Sequence, residues 1–231
     1  MTTGNRIAAQ IVVIAKAPVP GRVKTRLTPP LRPDQAALLA EAALADTLDA
    51  TARAPVTGRL LALDGTPGRW LPAGFDVTGQ RGGGLDERIA AALGEAYARL
   101  PLPVALIGMD TPQVTPELLA AAVHPLVTGD ADAAFGPAQD GGFWLLGLRR
   151  PDPGLVVGVP MSAADTGEIQ LMRLKRAGLR VHLMPELTDV DTLDDAIGVA
   201  REVPGSRFAA ALNDVLPACG VPLSAAPVGA A

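Results

Sequence analysis

Short, uninterrupted apolar runs alternate with stretches of helical periodicity along most of this chain, and that alternation leaves few architectures open. Gln10–Ala15 (Q-I-V-V-I-A) is a β-branched run of the kind found in strands buried on both faces. Asp34–Ala52 follows Pro33 with Leu38, Leu39, Ala42 and Leu48 at helical spacing. Arg59–Leu63 and Phe75–Thr78 read as further strands, Leu85–Arg99 as a helix with Leu85, Ile89, Ala92, Leu93 and Ala96 on one stripe, and Val104–Ile107 as another buried strand. Thr115-Pro116-Glu117 has the composition of a helix start. Ala131–Phe135 and Phe143–Leu148 flank the turn residues Gln139–Gly142; Thr166–Arg176 is helical and Arg180–Met184 a strand. Thr192 caps a last helix, with Asp194 and Asp195 near its positive end. The pattern predicts an α/β fold, a mostly parallel mixed sheet with helices on both faces. Ligands in such sheets bind beyond the carboxyl ends of the strands, so chemistry is sought in the loops that follow strands.

The chain has 231 residues, which favours one domain. Residues 1–216 are read as that domain and 217–231, rich in Ala, Pro and Gly, as a weakly ordered tail. Hydrophobic residues make up 48%, enough for a sizeable core, and no apolar stretch approaches the roughly 18 residues of a membrane span. Ile11–Ala15 is too short for a signal-peptide core and Lys16 interrupts it. Cys219, the one cysteine, excludes an internal disulfide framework and any cysteine-cluster metal site. The net charge of −4 gives no reason to expect nucleic acid. A cytoplasmic enzyme or binding protein with no membrane partner is expected; a homodimer is left open.

Charge is placed unevenly. Arg6, Lys16, Arg22, Lys24, Arg26 and Arg32 all precede the first acid, Asp34. Four of them project from Lys16–Leu27, a loop stiffened by Pro18 and Pro20 with Gly21 for a tight turn; Lys16–Pro33 holds five prolines, which excludes a helix there. Fixed cations with free backbone N–H groups suit a nucleotide's phosphates. Neither a Walker A sequence nor a dinucleotide-binding fingerprint is present. A second loop, Gly108-Met109-Asp110-Thr111-Pro112, puts a carboxylate at the end of a buried strand, where it serves either a hard cation such as Mg²⁺ or a turn before Pro112. A third, Asp189-Val190-Asp191-Thr192, offers either aspartate as a companion to Asp110, or ordinary helix capping. Gln139-Asp140-Gly141-Gly142 lets a ligand approach the backbone, or forms a hairpin-like turn. His124 and His182 are read as structural. Ser162 lacks the G-x-S-x-G setting of a hydrolase nucleophile, and Cys219 has none to recommend it.

Taken together, Ala15–Leu27 (A-K-A-P-V-P-G-R-V-K-T-R-L), Leu106–Pro112 (L-I-G-M-D-T-P), Gly136–Leu148 (G-P-A-Q-D-G-G-F-W-L-L-G-L) and Asp189–Thr192 (D-V-D-T) resemble the DUF2064 group of bacterial GT-A-fold proteins. These are relatives of MobA-like and CofC-like nucleotidyltransferases and are often labelled glycosyltransferases. The resemblance spans roughly residues 10–200 and implies a single GT-A-like, Rossmann-like domain. It implies that Lys24 and Arg26 meet phosphates, with Ala15, Lys16, Gly21, Arg22 and Gln80 completing the nucleotide site. It makes Asp110 the principal ligand of Mg²⁺ or Mn²⁺ and Asp191 the second, with Lys24, Arg26 and Asp110 catalytic. Asp140, Gly141 and Gly142 would face the acceptor or sugar.

The chain departs from the family pattern at Gly84, where an acid is expected, at Gln139 for Glu, at Met161-Ser162 for Trp-Ser and at Leu193 for Pro. The resemblance then implies an acceptor or nucleotide contact missing at Gly84 and an altered acceptor side, with the metal and phosphate positions kept. Three readings follow: nucleotidyl transfer from an NTP to a phosphorylated or sugar-like acceptor, sugar transfer from an NDP-sugar, or nucleotide binding without catalysis.

Overall fold

The computed structural model describes residues 6–219. Among the described residues thirteen strands and helices carry the core sheet and layers: strand β1 (Ile7–Lys16), helix α1 (Pro33–Arg53), β2 (Val56–Asp64), β3 (Asp76–Gly79), α2 (Leu85–Arg99), β4 (Val104–Ile107), α3 (Pro116–Thr128), β5 (Ala133–Pro137), β6 (Phe143–Leu148), α4 (Thr166–Arg176), β7 (Val181–Leu183), α5 (Leu193–Glu202) and α6 (Arg207–Val215). One seven-stranded sheet runs in the order β3-β2-β1-β4-β6-β5-β7. Only β6 opposes its neighbours, pairing antiparallel with β4 and β5; every other pairing is parallel. The expected mixed, mostly parallel sheet is therefore present.

The continuous apolar character of β1 and β4 reflects burial on both faces: alternate residues enter opposite cores. Ile11, Val13 and Ile107 pack with α1 and α3, whereas Val12, Val104 and Leu106 pack with α2 and Leu174 of α4. The one buried polar residue of β1, Gln10, is tolerated there because its amide donates to the carbonyls of Ala96 and Leu100 at 2.9 and 2.6 Å, satisfying the end of α2. Thr115 and Thr192 cap α3 and α5 through their hydroxyls, as their sequences predict.

Two features differ from expectation. α5 is not the last helix: α6 follows, with Ser206 accepting from Ala209 N, and Phe208, Leu212 and Val215 seal a third layer against the outer side of α1. The proline-rich loop includes one short 3₁₀ turn at Thr25–Leu27, which needs too few residues for the prolines to forbid. Leu216–Cys219 form a further 3₁₀ turn, and the rest of the expected tail lies outside the described residues. Among the described residues no helix is long and apolar enough to cross a membrane.

Candidate active site

A cleft of about 770 Å³ opens where β1 and β4 end, and the loops after β1, β3, β4, β5 and β7, with the segment before α4, form much of its wall. Its lining includes five bases (Lys16, Arg22, Lys24, Arg26, Arg88) and four acids (Asp110, Asp140, Asp189, Asp191), so the cleft is nearly balanced in charge but not uniform.

Lys24 decides the acidic end. Its backbone is left-handed (φ 48°), a conformation that costs a non-glycine residue about 1–3 kcal/mol and is kept only where surroundings impose it. The side chain is 7% exposed, and its Nζ lies 2.6 Å from Asp110 Oδ1 and 3.6 Å from Asp191 Oδ1. The same ammonium donates to the carbonyl of Val190. Arg26 reaches Asp191 Oδ2 at 2.8 Å from the solvent side. Loop is tied to loop beneath these groups: Val190 N donates to Asp110 O at 2.9 Å, and the amide of Gln113 donates to Thr188 O at 2.8 Å. Two aspartates 81 positions apart in the chain (191 minus 110) thus meet at one cation.

Asp189 stands behind them. Burial, then the charges of Asp110, Asp140 and Asp191, push its carboxyl up to about 7, against the opposing pull of Lys24. The rim is therefore crowded with negative charge. A hard divalent cation fits such an oxygen set, and Asp110 and Asp191, converging on one point, are the pair that would hold it. Among the described residues no three His, Cys, Asp or Glu side chains form a preformed metal cage.

The other cations are disposed differently. Lys16 and Arg22 line the cleft, and neither enters an ion pair among the described residues. Where the resemblance implies phosphate contacts for Lys24 and Arg26, both are engaged with carboxylates, and Lys16 and Arg22 are the ones left facing the cleft. Gln80 lines it too, but its amide N–H groups donate to the carbonyls of Ala15 and Ala62 at 2.8 and 3.1 Å. Gly21 (φ 76°) makes the turn before Arg22 without lining the cleft.

Asp140 and Gly142 line the opposite wall, and Asp140 accepts from Gly142 N at 2.8 Å. Gly141 does not line it. Its φ of 86° and the carbonyl of Ala164 packed where a Cβ would sit explain the glycine, so the close approach read from this sequence is made by the protein's own 162–167 segment. Gly84 begins α2, and a side chain there would run into the carboxylate of Asp86. Trp144 is 2% exposed; its indole donates to Pro185 O at 2.9 Å and supports the floor. Arg88 of α2 also lines the cleft and was not picked out from sequence; its place on the Leu85–Ile89 face of an amphipathic helix was the available clue.

A family model for uncharacterised proteins conserved in bacteria, DUF2064, matches residues 39–163, more than half of the chain. The chain belongs to the DUF2064 family. The crystal structure of a chain from Desulfovibrio desulfuricans G20, provisionally assigned as a nucleotide-diphospho-sugar transferase, is similar at 30% identity and a TM-score of 0.82, covering 91% of this chain and 96% of that one. Two more distant structures share the fold. CMP:2-keto-3-deoxy-manno-octonic acid synthetase complexed with CTP matches at 14% identity and TM-score 0.54, over 85% of this chain and 98% of that one. 2-C-methyl-D-erythritol 4-phosphate cytidylyltransferase from Thermus thermophilus matches at 16% and 0.53, over 87% and 100%. No curated protein sequence matches this DUF2064 chain.

Proposed function

We propose that this DUF2064 protein is a Mg²⁺-dependent transferase that moves a nucleotidyl group from an NTP to a phosphorylated or sugar-like acceptor and releases pyrophosphate. The observation that carries the reading is the convergence of Asp110 and Asp191 on one cation point, in a cleft whose further bases, Lys16 and Arg22, have no carboxylate partner among the described residues. That split matches a nucleotide polyphosphate and its ion.

The acceptor oxygen attacks the α-phosphorus, the bond from that phosphorus to the bridging α–β oxygen breaks, and pyrophosphate departs with the electron pair. A phosphate acceptor is already an anion and attacks directly, whereas a sugar hydroxyl would pass its proton to water as its oxygen–phosphorus bond forms. Lys16 and Arg22 bind the β- and γ-phosphates and stabilise the charge that grows on them. Asp110 and Asp191 would hold a divalent cation, and the chemistry it would supply is neutralisation of phosphate charge. Lys24 stands inside the cleft beside both aspartates, where its ammonium would face a phosphate bound next to them.

The D. desulfuricans relative favours a second reading, sugar transfer from an NDP-sugar at the same cleft. Incubation with Mg²⁺, an acceptor panel and each donor class separates them. Pyrophosphate release supports nucleotidyl transfer, and nucleoside diphosphate release supports sugar transfer. Tight nucleotide binding with neither product supports the non-catalytic reading and overturns the proposal.

A further inference from the structure

Arg88 lies outside every role assigned above. Its side chain is 30% exposed and lines the cleft beside Leu85 and Ile89, which sit three positions before and one after it on the same face of α2. Its NH1 contacts are long: 3.5 Å to Asp64 Oδ2 and 3.4 Å to Gln80 Oε1. Gln80 explains the placement. Both carbonyls it serves, Ala15 and Ala62, belong to the sheet, so its amide is fixed and its only remaining polar atom, Oε1, points to Arg88. Gln80 has no N–H left to offer a ligand; it positions the guanidinium that does.

The surroundings of Arg88 differ from those of Lys16 and Arg22. Ile14, Leu85 and Ile89 give this part of the cleft an apolar wall, and Asp64 offsets part of the charge. Asp64 ends β2, whereas Asp110 follows β4, two strands away across β1; at about 4.8 Å per strand the two ends lie about 10 Å apart. A flat heterocycle with a hydrogen-bonding edge fits an apolar wall bearing one planar, partly neutralised donor fork. A second phosphate would be better served by the unpaired bases.

Resting on the nucleotide reading of the cleft, we propose that Arg88 reads a keto oxygen on the nucleobase and so selects guanine, cytosine or uracil over adenine. Adenine presents an amino group where the fork needs an acceptor, leaving donor against donor.

Titration calorimetry with GTP, CTP, UTP and ATP, each with Mg²⁺, tests this on the wild-type chain and on Arg88→Ala and Arg88→Lys. At least one keto-base nucleotide is expected to bind wild type tenfold or more tighter than ATP. Arg88→Ala should remove that preference and leave ATP within twofold. Arg88→Lys keeps the charge without the fork and should also lose the preference. An equal loss for all four nucleotides would make Arg88 a phosphate contact and overturn the inference alone, as would no loss. A wild-type chain that binds none of the four overturns the nucleotide reading and this inference with it.

Discussion

Replacing Lys24 by Met removes one ammonium and keeps most of its apolar stem, which isolates the part that Lys24 plays as a resident counter-ion. Nζ lies 2.6 Å from Asp110 and 3.6 Å from Asp191, at the point where a divalent cation would contact the same two carboxylates. A unit charge pair near 4 Å is worth about 4 kcal/mol at an effective dielectric of 20. The carboxylates are 37% and 31% exposed, so solvent screens much of this, and about 1.5–3 kcal/mol is the part expected to oppose a cation entering without nucleotide. Lys24→Met should therefore bind Mn²⁺ alone about 10- to 100-fold more tightly than wild type, measured by the electron paramagnetic resonance of free Mn²⁺. Wild type should gain comparable affinity only when an NTP is added, because phosphates then give the ammonium another partner. Mn²⁺ should also raise the melting temperature of Lys24→Met more than that of wild type. Equal or weaker Mn²⁺ binding by a folded Lys24→Met chain would refute the idea that Lys24 occupies the cation position.

Gly141→Ala forces a side chain into a left-handed position against the Ala164 carbonyl and should cost about 1–3 kcal/mol or more in urea denaturation; a loss under about 0.5 kcal/mol would contradict the packing described. Trp144→Phe removes the indole bond to the carbonyl of Pro185, an exposed residue that water can serve instead, and should cost about 0.5–1.5 kcal/mol, read from the same curves. Asp132 accepts from Arg180 Nε and NH2 at 2.9 and 3.0 Å, tying the starts of β5 and β7, and the guanidinium holds its carboxyl down at about 2. A lowered carboxyl pKa contributes stability that is complete above the ordinary value near 3.8 and is lost as pH falls toward 2. Asp132→Asn should thus flatten the acid limb of the stability profile between about pH 4 and 2, and an unchanged limb would count against the pair.

Most of the fold was legible because it rests on local patterns. Uninterrupted β-branched runs in β1 and β4 mean burial on both faces, and Thr115 and Thr192 announce their helices by cap chemistry that acts within three residues. α6 escaped because its nine residues follow α5 closely and its apolar face covers α1 rather than the sheet, a partnership that no local pattern encodes. The site divides in the same way. Asp110 and Asp191 stand out because each follows a strand, but nothing near Asp191 in sequence reveals that its loop returns to β4 through the Val190–Asp110 bond. Gly141 was read as room for a ligand because a glycine's sequence context does not say which chain fills the space beside it.

The basic loop is the instructive case. Four cations in eleven residues read as one phosphate-binding feature, yet their distant partners divide them. Lys24 and Arg26 meet carboxylates from positions 110 and 191, whereas Lys16 and Arg22 meet none among the described residues. A left-handed residue at Lys24 turns one side chain of the loop inward, and the fold brings an acidic rim to meet it. Charge counted along the sequence cannot separate cations that complete the resting protein from cations held in reserve for a ligand, because that distinction depends on contacts made across the sheet. It follows that neutralising Lys16 or Arg22 should weaken NTP binding while leaving Mn²⁺ binding without nucleotide unchanged, whereas neutralising Lys24 should tighten Mn²⁺ binding without nucleotide. Calorimetry on Lys16→Ala and Arg22→Ala that found nucleotide affinity intact would remove the division between the two pairs.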